Sequence, residues 1–121
     1  MRSRVEIKIT KGFKREAKRL LKKYPSLNKD LSQLQEQLIA NPESGTPLGN
    51  HSFKIRLAIR SKGKGKSGGA RVITYLETEI IGYIEKENAT AVNLITIYDK
   101  SEVASISQKE LRQLIAKMEF D

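Results

Sequence analysis

The stretch SFKIRLAIRSKGKGKSGGARVITYLE, residues 52–77, admits two readings, and the choice between them decides the fold. Gly65, Lys66 and Ser67 spell the end of the phosphate-binding pattern G-x-x-x-x-G-K-[ST], which needs a first glycine at position 60, a strand before it and a helix after it. Position 60 is Arg60, and "ARVITYLE" alternates and is rich in β-branched residues, so a strand follows the glycines instead of a helix. On the other side, Phe53, Ile55, Leu57 and Ile59 alternate with Lys54, Arg56, Ala58 and Arg60. Two strands are therefore joined by a Lys/Gly tip, Ser61 to Gly68, longer than the two to five residues usual for a hairpin. Such a tip is expected to stay mobile until something negative orders it. Lys54, Arg56 and Arg60 are in phase along one strand, and Arg71 opens its neighbour.

Outward from this hairpin, "RVEIKI" near the N-terminus alternates as a half-buried strand. Phe13, Ala17, Leu20, Leu21 and Tyr24 recur at helical spacing until Pro25, and Leu27, Leu31, Leu34 and Leu38 form a second helical seam that Ser26 or Asn28 can cap. So short a linker makes the pair an antiparallel helical hairpin. "NPESGTPLGN", residues 41–50, reads as a turning loop. "AVNLITIYD" is the most apolar strand, expected near the middle of a sheet, and Ser107 with Glu110 forms a capping box before Leu111, Leu114, Ile115 and Met118. The segment 77–90 extends a strand or forms a lobe of its own. The sequence thus predicts one α+β domain over residues 1–121, ordered β-α-α-β-β-β-α. Its sheet is antiparallel, with the helices on one face and the cationic residues on an exposed other face.

Hydrophobic residues make up 38% and charged residues 31% of the 121-residue chain, a balance that supplies a single modest core. No apolar run is long enough to span a membrane and the N-terminus lacks a secretory signal, so a cytoplasmic protein with no membrane partner is expected. The absence of cysteine excludes disulfides, thiolate metal sites and thiol nucleophiles. The net charge of +9 points to a polyanionic partner. From Ser52 to Leu76, Lys54, Arg56, Arg60, Lys62, Lys64, Lys66 and Arg71 occur with no acidic residue among them.

Cations without carboxylates are poor equipment for holding Mg²⁺, and no metal or cofactor is expected. They suit phosphate well. RNA is cleaved without a metal when a base withdraws the proton of the 2′-hydroxyl and cations stabilise the pentacoordinate phosphate. Tyr98 and Lys100, at the end of a strand in "TIYDKSE", are candidates for proton transfer, with simple core packing the competing reading of Tyr98. His51, the single histidine, lies in a turn.

"FKIRLAIRSKGKGKSGGARVITY", followed by "LITIYDKSE" and a capped C-terminal helix, resembles the RelE/ParE superfamily of type II toxin–antitoxin toxins, and its HigB-like branch most closely. The resemblance implies a RelE-like fold and a toxin that enters the ribosomal A site and cuts mRNA during translation, neutralised by a cognate antitoxin. It assigns Lys54 and Arg56 to the family's basic pair, Arg71 to its phosphate-stabilising arginine, and Arg60, Lys62, Lys64 and Lys66 to contacts with RNA or the ribosome. Where RelE-type enzymes carry an arginine after the last strand and a tyrosine further on, this chain has Asp99, Lys100 and Ser101. Lys100 and Tyr98 are the candidates for those two roles, and the general base is left unassigned. Two other functions fit the same sequence: a non-enzymatic inhibitor of DNA gyrase like the ParE branch, and a basic RNA-binding module without activity.

Overall fold

The computed structural model describes residues 3–82 and 87–121. Strand β1 (Ser3–Ile9) leads into helices α1 (Lys11–Lys23) and α2 (Leu27–Ala40). Strands β2 (Thr46–Gly49), β3 (Ser52–Leu57), β4 (Ala70–Gly82) and β5 (Glu87–Asp99) follow, with a short 3₁₀ turn at Arg60–Lys62, and helix α3 (Gln108–Ala116) comes last. The class is α+β as expected, but the element order is not. Part of the presumed loop 41–50 is strand β2, hidden from a periodicity reading by Pro47 and Gly49 and paired with β3 on its outer side. Asn50 and His51 both have positive φ, at 52° and 58°, and make the two-residue turn of this hairpin.

The sheet order is β1-β5-β4-β3-β2. Three of the four pairings are antiparallel; β1 lies parallel to β5, so the expected all-antiparallel sheet is mixed. The chain reaches this arrangement because the helical hairpin carries it back across the sheet before the β2–β5 meander begins. Of the segment 77–90, the part to Gly82 extends β4 and the part from Glu87 belongs to β5, paired antiparallel with it; residues 83–86 lie outside the described residues.

The sheet is covered on both faces, not one. Phe13, Leu20, Tyr24, Leu27, Leu34 and Leu38 of the helical hairpin pack with Ile55, Leu57, Val72, Val92, Leu94 and Ile97 on one face. Leu111 of α3 packs with Ile73, Ile95 and Tyr98 on the other. Thr10 caps α1 through the Phe13 amide and ties the helix to β5 by donating to the Leu94 and Ile95 carbonyls. Ser26 stands at the start of α2 without a side-chain cap and instead donates to Asp30, while the capping box of Ser107 and Glu110 forms as expected.

A bulge in β5 decides what the second face presents. Ile73 pairs with Thr96 and Thr74 with Leu94, so Ile95 is the extra residue and the alternation of β5 shifts by one. Before the bulge Val92 and Leu94 face the helical hairpin; beyond it Ile97 does, and Tyr98 turns to the α3 face.

Candidate nucleic-acid interface

Three side chains form a row across the α3 face of the sheet, running from the exposed Arg56 to Tyr98 at the edge of the α3 cluster. Arg56 is opposite Arg71 in the β3–β4 register, and Arg71 is opposite Tyr98 in the β4–β5 register. Directly paired residues share a face, so Arg56, Arg71 and Tyr98 stand side by side, with Lys54 two positions along β3. Two arginines directly opposite each other destabilise a sheet, so folding alone does not account for Arg56 at this position. Arg56 is exposed, and neither it nor Lys54 makes an ion pair with another side chain among the described residues.

Arg71 is only 5% exposed. Its Nη1 donates to the Lys66 and Ala70 carbonyls at 2.9 and 3.0 Å, and its Nη2 to the Ser67 carbonyl at 3.1 Å. The guanidinium thus clips the end of the connector onto β4, and of its five N–H groups two are left for a ligand. The Tyr98 ring packs in the α3 cluster, and its hydroxyl is buried with no hydrogen-bond partner. Burial pushes the phenol up while the Arg71 cation pulls it part of the way back, so Tyr98 is protonated and can give a proton but not take one.

Several expected site residues are occupied elsewhere. Arg60 is not in phase with Lys54 and Arg56, because β3 stops at Leu57 and the chain turns; its guanidinium donates to Gln33 on α2 and lies 4.0 Å from Asp30. Lys62, its side chain 13% exposed, donates to Asp99 Oδ1 at 2.6 Å and lies over the Tyr24 ring, so this cation belongs to the fold and not to a binding surface. Lys100 donates to the Ala104 carbonyl at 2.7 Å and closes the turn after β5 instead of pointing at Arg71. Lys64 and Lys66 remain exposed at the tip of the connector. The His51 carbonyl accepts from the Leu76 amide in the middle of β4, five positions and about 16 Å of strand from Arg71.

The connector is built, not open. Twelve residues separate β3 from β4, where eight were expected, since Ala58 and Ile59 leave the strand pairing and Ile59 is buried. The Lys62 amide donates to Ile59 and the Gly68 amide to Lys64, and the Ser61 amide is held by Ser26 Oγ. Gly69 passes so close to β3 that a Cβ there would run into the Leu57 carbonyl.

Beneath the connector lies Asp99, a residue that sequence reading treated only as a departure from a pattern. It is fully buried and accepts from Lys62, from the Tyr24 hydroxyl at 2.6 Å and from the amide and hydroxyl of Ser101. Burial opposes its charge, but the Lys62, Tyr24 and Ser101 donors outweigh that and hold its carboxyl well below the usual carboxylate range. The bulge at Ile95 is what aims Asp99 at the helical hairpin and Tyr98 at Arg71.

No family model matches the chain. No helix among the described residues is long and apolar enough to cross a membrane.

Proposed function

We propose that this protein is a toxin of the RelE/ParE type, closest to the HigB-like branch, and that it cleaves mRNA on the translating ribosome. The observation that carries the reading is the row Arg56–Arg71–Tyr98 across three strands, with Lys54 beside it. It places two cations and a protonated hydroxyl together on one sheet face.

In this reading Lys54 and Arg56 hold the non-bridging oxygens of the scissile phosphate. Arg71 adds its two remaining N–H groups as negative charge builds in the pentacoordinate state. The 2′-hydroxyl gives its proton to solvent as its oxygen attacks phosphorus, the bond to the 5′-oxygen breaks, and Tyr98, once Arg71 is drawn outward to the phosphate, protonates that leaving oxygen and regains its proton from solvent. The products are a 2′,3′-cyclic phosphate and a 5′-hydroxyl end. Lys64 and Lys66 contact ribosomal or messenger RNA, and a cognate antitoxin with an acidic or amphipathic segment silences the face. The adjacent reading frame is expected to encode that antitoxin.

The test is to map mRNA 5′ ends in a translating extract. Wild type should create new 5′-hydroxyl ends inside codons, and none when initiation is blocked. Arg56→Ala should lower cleavage by about 10²-fold with the melting temperature unchanged. Cleavage by that variant at the wild-type rate would overturn the assignment. The carbonyls that occupy Arg71 and the buried Tyr98 hydroxyl favour a second reading, a basic RNA-binding module without catalysis. In that case RNA binds and no new ends appear with wild type.

A further inference from the structure

Helix α1 carries Lys11, Lys14, Arg15, Lys18, Arg19, Lys22 and Lys23 against a single carboxylate, Glu16, a net of six positive charges in thirteen residues. Its apolar face, with Phe13 and Leu20, is spent on the core. The opposite face is a stripe of Lys11, Lys14, Arg15, Lys18 and Lys22, which lines an open groove of about 600 Å³ with Arg19 and Asp121. Folding does not ask for this stripe. The first turn of α1 has no acidic residue and begins with Lys11, although cations near a helix N-terminus oppose the helix dipole.

Part of the stripe is already occupied by carboxylates of this chain. The segment after α3 runs along α1: the Lys11 amide donates to the Glu119 carbonyl at 2.8 Å, and the Lys11 ammonium lies 3.8 Å from the Glu119 carboxylate. Lys14 meets Asp121 at 2.8 Å. Lys18 and Lys22 make no ion-pair contact among the described residues, although Lys18 is near enough to Asp121 to favour its charged form. We infer that the α1 stripe is a second polyanion site, which takes the phosphate backbone of double-stranded RNA, and that Glu119 and Asp121 act as internal competitors for it.

Duplex RNA fits better than the alternatives. The stripe presents cations every three or four residues, roughly every 4.5–6 Å along the axis, with no aromatic side chain interleaved. Single-strand sites stack bases on aromatics, and protein interfaces bury apolar anchors, whereas duplex RNA is held mainly through phosphates and 2′-hydroxyls. The helical hairpin that carries the stripe covers the sheet face opposite to Arg56 and Arg71, so the two sites are separable.

The test measures binding of the full chain to a fluorescent RNA duplex of about 16 base pairs by anisotropy over a range of salt. Lys14→Ala/Lys18→Ala/Lys22→Ala should lose about 10-fold or more in affinity and flatten the log–log salt slope by about 3. Lys14→Arg/Lys18→Arg/Lys22→Arg should bind as wild type, which separates loss of charge from loss of fold. Glu119→Gln/Asp121→Asn should bind several-fold more tightly. Lys54→Ala/Arg56→Ala, which removes the other cationic face, should leave duplex binding intact whether or not that face cleaves mRNA. Wild-type affinity in the alanine triple, equal loss in the arginine triple, no gain in the Glu119/Asp121 variant, or displacement of the duplex by equimolar polyglutamate would each overturn the inference.

Discussion

Tyr98 separates packing from chemistry at the level of one oxygen atom. Its hydroxyl is buried and unpartnered, a condition that costs about 1–3 kcal/mol. Tyr98→Phe should therefore leave thermal stability unchanged or raise it by about 1 kcal/mol in denaturant unfolding, while cleavage falls by about 10²-fold if the hydroxyl is the proton donor. Stability that drops instead would mean the hydroxyl has a structural partner. Asp99 is the opposite case. Asp99→Asn strips Lys62 of its buried counter-charge and should cost about 3 kcal/mol in the same measurement. The sign with pH follows from the depressed carboxyl: its contribution is complete above the unfolded carboxylate value of about 4 and is lost as pH falls through the lower folded value. Wild type should lose stability progressively in acid, and Asp99→Asn should show a flatter profile below about pH 4. Neither role was legible beforehand. Lys62 and Asp99 are 37 residues apart, and a lysine in a Lys/Gly run carries no mark of the partner that the fold will give it.

At the level of elements, what period can show was visible and what breaks period was not. The helical hairpin, strands β3 to β5 and the capped α3 follow from the spacing of Phe13, Leu20, Leu34, Ile55, Val72 and Leu111. The bulge did not, because Leu94 and Ile95 are adjacent apolar residues and each can face a core on its own side of the sheet. That slip places Tyr98 beside Arg71, so the sequence could nominate the members of the row but not their alignment. Arg60 differs for a related reason: the alternation continues past Leu57, but pairing does not, and Arg60 begins a 3₁₀ turn. Gly69→Ala should push the connector off β3, cost about 2 kcal/mol by denaturant unfolding, and release the Lys66 and Ser67 carbonyls from Arg71. Protection of the Arg71 guanidinium protons in NMR exchange should fall in the same variant.

Across the whole molecule the two densest groups of cations, seven in α1 and seven between Ser52 and Leu76, belong to elements on different parts of one sheet. With Arg60, Lys62 and Arg71 engaged within the fold, the connector and sheet face keep Lys54, Arg56, Lys64 and Lys66 free, four of the seven cations counted between Ser52 and Leu76. Single-stranded RNA on that face should then bind with a log–log salt slope of about −2.8, which a titration from low to high salt measures directly. A slope near −5 would mean that Arg60, Lys62 and Arg71 release their internal partners on binding. The parallel pairing of β1 with β5 adds a constraint in time. Ser3 lies against Asn88 and Ile9 against Leu94, so the first strand waits for residues 85 positions later before its edge of the sheet can close. Contacts of such sequence separation form late and slowly. During synthesis β5 is also the last strand to emerge, and it brings Tyr98 to Arg71 and Asp99 to Lys62. Until Asp99 has left the ribosome that makes the chain, the row Arg56–Arg71–Tyr98 is incomplete, and under the proposed function the newborn protein has no finished site to turn on its own template.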